Sequence, residues 1–301
     1  MLSRVTQQTV QRSTLANLQL NLSTMADMQA KMSSGKKITV PSDDPAAASD
    51  MLRLRGELRA QTQYVRNADD GGSWLTTVDT ALQSSLSTLR QARDLTVQSG
   101  DISLGPASRE ALATEIDGVR DSLLAQANTT YLGRNVFAGT SDAGTAFTKN
   151  AVTGQYAWTG TAVGTVDRRI NATTTIRVDA NGASVFGDDP SGDTSVFALL
   201  DTISTTLRTG GDATPLLSDI DTRMNKMLTQ LASVGARHSQ VLAAQTELQS
   251  SQLTTKTQLS GIEDIDLAET ILQLQMQQTA YQGALGAAAK VLQPSLLDFL
   301  R

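Results

Sequence analysis

Between residues 264 and 299 the apolar positions fall at Leu267, Ile271, Leu274, Tyr281, Leu285, Ala288 and Leu292, alternately four and three apart. Gln278 fills the one polar slot in the row. This is an a/d heptad pattern, which keeps a narrow stripe of one helix against a partner. At about 1.5 Å per residue the helix would run for about 45 Å before Pro294 interrupts it. No helix covers such a stripe by itself, and the opposite end of the chain offers a partner. Residues 1–32 read as a helix with Leu15, Leu18, Leu22, Met25 and Met32 in a second heptad row, Gln29 again filling a gap. Gly35 ends it, with Lys31, Lys36 and Lys37 suited to the negative end of the helix dipole.

The stretch SSGKKITVPSDDPAAASD follows, extended before Pro41, and Ser42, Asp43 or Asp44 is placed to cap a new helix that has Pro45 in its first turn. Met51, Leu54, Leu58, Val65 and Ala68 start the seam of that helix, and Leu75, Leu82, Leu86 and Leu89 continue it past Gly71 and Gly72, where a bend is allowed. A break near residue 100 leads to a third amphipathic helix through Leu112, Ile116, Val119 and Leu123, with Ser108 as its expected cap. From about residue 133 to 195, glycine, threonine and short alternating runs replace the heptads, and Asn181-Gly182 after an alternating run signals a hairpin. Helical periodicity resumes with Phe197, Leu200, Ile203 and Leu207. A long row then runs from Leu216 through Ile220, Met224, Met227, Leu231, Val234, Val241, Leu242, Leu248, Leu253 and Leu259.

The expected fold is therefore mainly α, with long paired helices from the N- and C-terminal segments and a small inserted antiparallel β domain. Its expected division is a terminal coiled-coil domain (1–44 with 262–301), a helical rod domain (45–132 with 196–261) and a β-rich outer insertion (133–195). Only 4% of the residues are aromatic, which favours helices packed through small side chains over one bulky core.

Charge and chemistry narrow the function classes. The balance of 25 basic and 30 acidic residues, without a basic cluster, speaks against nucleic acid as a partner. No apolar run approaches the length needed to span a membrane. The opening MLSRVTQQTVQRSTLANLQL lacks the apolar core of a secretory signal, so the chain is expected either to stay in the cytoplasm or to leave it by a route that reads no cleaved signal. The absence of cysteine excludes disulfides, thiolate metal sites and cysteine nucleophiles together. His238 is the only histidine, too few for a histidine metal cluster or a Ser-His-Asp set whose members can be identified. GDDPSGDT at 187–194 has the glycine spacing of a phosphate-binding loop, but Asp193 stands where its lysine belongs, so it reads as a turn. Asp188, Asp189 and Asp193 there lack the spacing of a calcium loop. Asp43, Asp44, Glu263, Asp264, Asp266 and Glu269 are explained by helix starts better than by acid–base pairs. No catalytic residue, cofactor or metal is expected.

Several segments carry a resemblance. RVTQQTVQRSTLANL, SSGKKITVPSDDPAAASDMLRLR, RNADDGGSWLTTVDTAL, ANTTYLGRNVFAGT and DIDLAETILQLQMQQTAYQGALGAAAKVLQPSLLDFL resemble the flagellin superfamily, over about the first 140 and last 100 residues. YLGRNVFAGT leading into TAFT, together with the SLLDFLR ending, is most similar to the branch at the hook–filament junction, with filament-forming flagellin as the alternative. The β insert resembles nothing nameable. The resemblance implies a structural adapter, not an enzyme, exported through the flagellar type III channel after escort by a chaperone and placed outside the cell in the flagellum. Implied partners are copies of itself in a ring, hook-associated protein 1 on the hook side and flagellin on the filament side. It also carries the family's assembly and chaperone-binding positions onto Leu267, Ile271, Leu274, Tyr281, Leu285 and Leu292, faced by Leu15, Leu18, Leu22 and Met25. The residues themselves support ordering on assembly. Two narrow seams flanked by Gln, Ser, Thr and Ala bury too little to hold firmly alone.

Overall fold

The protein is described by a computed structural model covering residues 2–101, 103–161 and 164–292, with side chains described at Thr9 and from Arg12 to Lys290 within those bounds. Among the described residues the α-helices are α1 (Leu2–Ser34), α2 (Pro45–Ser99), α3 (Pro106–Ala127), α4 (Gly182–Phe186), α5 (Val196–Arg208), α6 (Leu217–Glu263) and α7 (Leu267–Leu292). The strands are β1 (Thr130–Tyr131), β2 (Arg134–Asn135), β3 (Phe147–Lys149), β4 (Tyr156–Trp158), β5 (Asp167–Arg169) and β6 (Thr175–Arg177). The fold is mainly α, with long helices at both ends and a small β-bearing insertion between α3 and α5. Two compact units divide the chain: residues 1–60 with 252–301, and residues 61–251. We call them the terminal unit and the central unit.

Helix boundaries follow local chemistry. Gly35 takes φ +69° and closes α1, its N–H donating to the Lys31 carbonyl at 2.9 Å. Asp44 caps α2 by accepting from Ala47 N at 3.0 Å, while Asp43 Oδ2 accepts from Thr39 N and Val40 N at 2.9 and 3.0 Å and folds the preceding loop. Asp266 caps α7 through Ala268 N and Glu269 N at 2.9 and 3.1 Å. The cap expected of Ser108 is not used. Gly105 holds that position and Pro106, whose missing N–H costs nothing there, opens α3.

Within the central unit α2 is buried along two heptad rows. Ala68, Leu75, Leu82, Leu86 and Leu89 form the expected one, and Trp74, Val78, Ala81, Ser85, Ala92 and Leu95 form a second that its small residues conceal. The helix runs unbroken through Gly71 and Gly72. A Cβ at Gly71 would stand 3.2 Å from Val178 Cγ1, so this glycine serves close approach of the insertion. Along α6, Ile220, Met227, Val234, Val241 and Leu248 are buried at intervals of seven. Leu242 and Leu253, expected in that row, lie outside the register and are exposed. Helices α3 and α5 pack together, Ser204 Oγ donating to the Ala113 carbonyl at 3.3 Å.

Among its described residues the insertion holds three separate two-stranded antiparallel ladders, β1–β2, β3–β4 and β5–β6. Its core is aromatic: Phe186 packs edge-on to Phe137 and Phe147 and stacks on Phe197, which also meets Tyr156. The hairpin expected at Asn181-Gly182 does not form. Asn181 instead caps α4 through Ser184 N at 3.1 Å, and a Cβ on Gly182 would lie 2.8 Å from the Phe137 carbonyl oxygen. The tight turn between β1 and β2 falls at Leu132 and Gly133, both with positive φ.

Beside this core Asp201 accepts from Arg120, from Lys149 Nζ at 2.8 Å and from the Tyr156 hydroxyl at 3.0 Å. Burial alone would raise the Asp201 pKa, but the Lys149 and Arg120 hydrogen bonds outweigh it and hold the carboxyl below the usual range. Arg223 and, secondarily, Lys226 hold Asp193 low in the same way. The ionised carboxylates stabilise the fold above their unfolded pKa of about 4, and this contribution is lost as pH falls through their depressed folded values. Thermal melting is expected to be flat from about pH 5 to 7 and to fall below about pH 4, with Asp201→Asn flattening part of that acid slope. A slope unchanged in the variant contradicts the assignment.

Candidate assembly interface

In the terminal unit α1 and α7 pack along each other. They are antiparallel: Lys36 bridges Asp264 at one end, and Gln277 Nε2 donates to Asn21 Oδ1 at 3.2 Å further along. A polar clasp fixes the end of the pair. The buried Glu263 carboxylate takes Arg55 Nη2 at 2.6 Å and Lys36 Nζ at 3.1 Å, and Lys36 also reaches Asp264 at 2.8 Å. Hydrogen bonds to Asp264 and Glu263 raise the Lys36 pKa, while Lys36 and then Ser260 lower that of Asp264. Backbone bonds from Lys37 N to the Glu263 carbonyl at 2.6 Å and from Ile265 N to the Gly35 carbonyl at 3.2 Å complete the clasp.

The seam between the helices differs from the apolar rows of the sequence. On α1 the covered positions facing α7 are Thr14, Leu18, Asn21, Met25, Met28 and Met32, with Thr24 and Lys31 partly covered beside them, and on α7 Thr270, Leu274, Gln277, Tyr281 and Ala284 are partly covered and Ala288 is buried. Leu18, Met25, Leu274 and Tyr281 thus sit where the heptad reading puts them. Leu15, Leu22, Ile271 and Leu285 each stand one residue beyond a seam position held by Thr14, Asn21, Thr270 and Ala284. They remain 55%, 52%, 37% and 43% exposed, respectively. Leu267, the first residue of α7, is exposed as well. The side chain of Leu292 lies outside the described residues, as does everything expected of Pro294 and Phe299.

That one-residue offset gives the hairpin two different sides. One residue turns a helix by about 100° and seven by slightly less than two turns, so Leu15, Leu22, Ile271 and Leu285 all flank the seam in the same rotational sense. In an antiparallel pair, flanks of equal sense lie on the same side. The opposite groove agrees, since Thr24, Asp27 and Lys31 of α1 line it together with Glu269 and Gln273 of α7. One side of the pair therefore carries Leu15, Leu22, Ile271 and Leu285 among glutamines, and the opposite groove beside the clasp is charged, Lys31 bridging Asp27 at 2.9 Å. Covering the rest of each half-exposed Leu or Ile on the first side would contribute roughly 1 kcal/mol. Leu20 and Met276, one residue before Asn21 and Gln277, add exposed apolar surface on that opposite side further along the pair, and Leu272 adds more on α7.

The carboxylates weighed as chemistry are committed to structure. Asp188 Oδ1 accepts from Trp158 N at 2.9 Å, and Asp189 accepts from Tyr156 N at 2.7 Å and Ser195 N at 2.6 Å. Asp193 pairs with Arg223 and Lys226, which makes GDDPSGDT a stapled turn. Among the described residues no three His, Asp or Glu side chains converge as a metal ion requires. His238 lies half-buried on α6, and none of the described helices is long and apolar enough to cross a membrane.

The bacterial flagellin N-terminal helical region matches residues 5–142, and the bacterial flagellin C-terminal helical region matches residues 217–300. The chain is 26% identical over 302 residues to the flagellar hook-associated protein 3 of Salmonella typhimurium, covering 90% of this chain and 94% of that one. It is also 26% identical over 271 residues to a Bacillus subtilis flagellin, covering 85% and 86%. Among solved structures, a putative flagellar hook-associated protein from Vibrio parahaemolyticus shares the fold with a TM-score of 0.67 at 22% identity, over 74% of this chain and all of that one.

Proposed function

We propose, given that this chain belongs to the flagellin superfamily, that within the bacterial flagellum it is the adapter joining the hook-side junction protein to the flagellin filament. It is a structural component of the flagellum and not an enzyme, as its relatives are. In this reading copies of the chain form a ring, with hook-associated protein 1 below and flagellin above. Each copy leaves the cell by type III export after escort by a chaperone. Residues 1–44 with 262–301 form the inner coiled coil, 45–132 with 196–261 the helical middle, and 133–195 the outward insertion.

The observation that carries the proposal is the two-sided hairpin. Leu15, Leu22, Ile271 and Leu285 stand half-exposed along one flank in the single chain, while Leu18, Met25, Leu274 and Tyr281 hold the hairpin itself. Leu267 and Leu292 extend the proposed assembly and chaperone surface. Burying that flank between copies couples ordering of the termini to assembly. Accordingly, Leu285→Asp is expected to leave melting of the central unit unchanged and to block incorporation, because a carboxylate then has to be buried without a partner. Normal incorporation of that variant contradicts the assigned side. The match to the hook-associated relative covers 90% of this chain and 94% of that one, against 85% and 86% for the Bacillus subtilis flagellin at the same identity, and this supports the junction over the filament. A deletion strain separates the two: hooks that form while flagellin is shed into the medium support the adapter, and loss of the filament protein itself supports a flagellin.

A further inference from the structure

In the central unit a cavity of about 270 Å3 opens where the segment after β6 meets α6, lined by Arg177, Asp179, Asn181, Ser184, Ser233 and Arg237. We propose that it is a binding site for a carboxylate group, taken by the Arg237 guanidinium. Asp179 forms no ion pair with Arg237, because its buried carboxylate is already occupied. Oδ1 accepts from Arg177 Nε and from Val166 N, both at 2.9 Å, and Oδ2 accepts from Arg177 Nη2 at 2.8 Å. Arg237 bonds only carbonyl oxygens. Its Nη1 donates to those of Arg177 and Asp179 at 3.0 and 2.8 Å, and its Nε to that of Ser233 at 3.3 Å. Its Nη2 has no acceptor, and no carboxylate forms an ion pair with it, among the described residues.

A partly buried cation without an ion-pair partner is costly, and burial followed by repulsion from Arg177 pushes the Arg237 pKa down against the weaker pull of Asp179. Two guanidiniums against one carboxylate leave the lining with a single excess positive charge. A monoanion balances it, whereas a phosphate dianion would overshoot. The planar guanidinium edge suits a carboxylate, and Asn181, Ser184 and Ser233 supply neutral donors around it. The volume exceeds what a bare carboxylate fills, leaving room for the small organic acid or acidic side chain that carries one.

The test titrates the full-length protein with sodium acetate against sodium chloride at equal ionic strength, following the Arg237 Nε–H resonance and thermal melting. Acetate is expected to shift the resonance saturably and to raise the melting temperature, with chloride doing neither. Arg237→Gln should weaken acetate binding by about tenfold or more. In case that variant folds poorly, Ser233→Glu provides an independent check. Its carboxylate one turn before Arg237 supplies the missing charge, so the variant should melt higher without acetate and stop responding to it. A capped Ala-Glu-Ala peptide binding more tightly than acetate assigns the site to an acidic protein side chain, and equal binding assigns it to free organic acids. No saturable shift, an equal response to chloride, or an undiminished response in both variants overturns the proposal.

Discussion

Deleting α7, by ending the chain at Asp266, is expected to abolish incorporation into the flagellum while the central unit melts as in the full chain. The effect is large because α7 supplies half of the α1–α7 pair, and α1 then loses Leu274, Tyr281 and Ala288 as partners. A lone α1 with Thr14 and Asn21 in its row has no packed face to hold it, and isolated helices gain little from propensity alone. The central unit keeps its own core from Ala68 to Leu248 and the salt bridges among Arg120, Asp201, Arg223 and Asp193. Two measurements check this: the melting curve of the truncated chain, and its ability to restore swimming in a strain lacking the gene. Restored swimming contradicts the assembly role of α7. A collapsed central unit contradicts the independence of the two units.

The second large effect falls on the central unit. Phe197→Ala is expected to lower its unfolding free energy by about 3–5 kcal/mol, the range for removing a buried aromatic ring. Phe197 is fully buried and touches Phe147, Tyr156 and Phe186, so the cavity it leaves is walled by other rings that cannot collapse into it without losing their own contacts. Denaturant melting of the purified protein reads this directly. A loss under about 1 kcal/mol would mean that the aromatic cluster is not the core of the insertion. The change lies far from the proposed assembly surface in sequence, so protein that still folds should still incorporate.

The long helices were legible because a stripe buried on one side writes itself as a 3.6-residue period. Leu75, Leu82 and Leu89 show this, as do Ile220, Met227 and Val234. Where the reading failed, small or polar residues held the buried positions. Thr14, Asn21, Thr270 and Ala284 occupy the terminal seam, and a search for leucine and isoleucine selects their neighbours Leu15, Leu22, Ile271 and Leu285 instead. The row chosen from sequence therefore mixed two surfaces, one closing the hairpin and one left open. Ser85, Ala81 and Ala92 concealed the second buried row of α2 for the same reason.

Turn chemistry misled in the insertion. Asn181-Gly182 matches the commonest hairpin dipeptide, yet an asparagine oxygen serves a helix N-terminus equally well, and here Ser184 N takes it. The tight turn that does form carries Leu132 at φ +49°, a residue no propensity rule selects. The charge left over at Arg237 was invisible in the sequence, because it depends on Asp179 being committed to Arg177 at the end of β6 while α6 brings Arg237 beside them.

Amide hydrogen exchange on the dilute, unassembled protein tests most directly whether the terminal hairpin waits for neighbours. Backbone amides of α1 and α7 should exchange orders of magnitude faster than those of α2 from Gly71 to Ser99, and assembly should slow them to match. Equal protection of α1, α7 and that stretch of α2 in the solitary chain would contradict the account, because nothing would then remain for a neighbouring copy to complete.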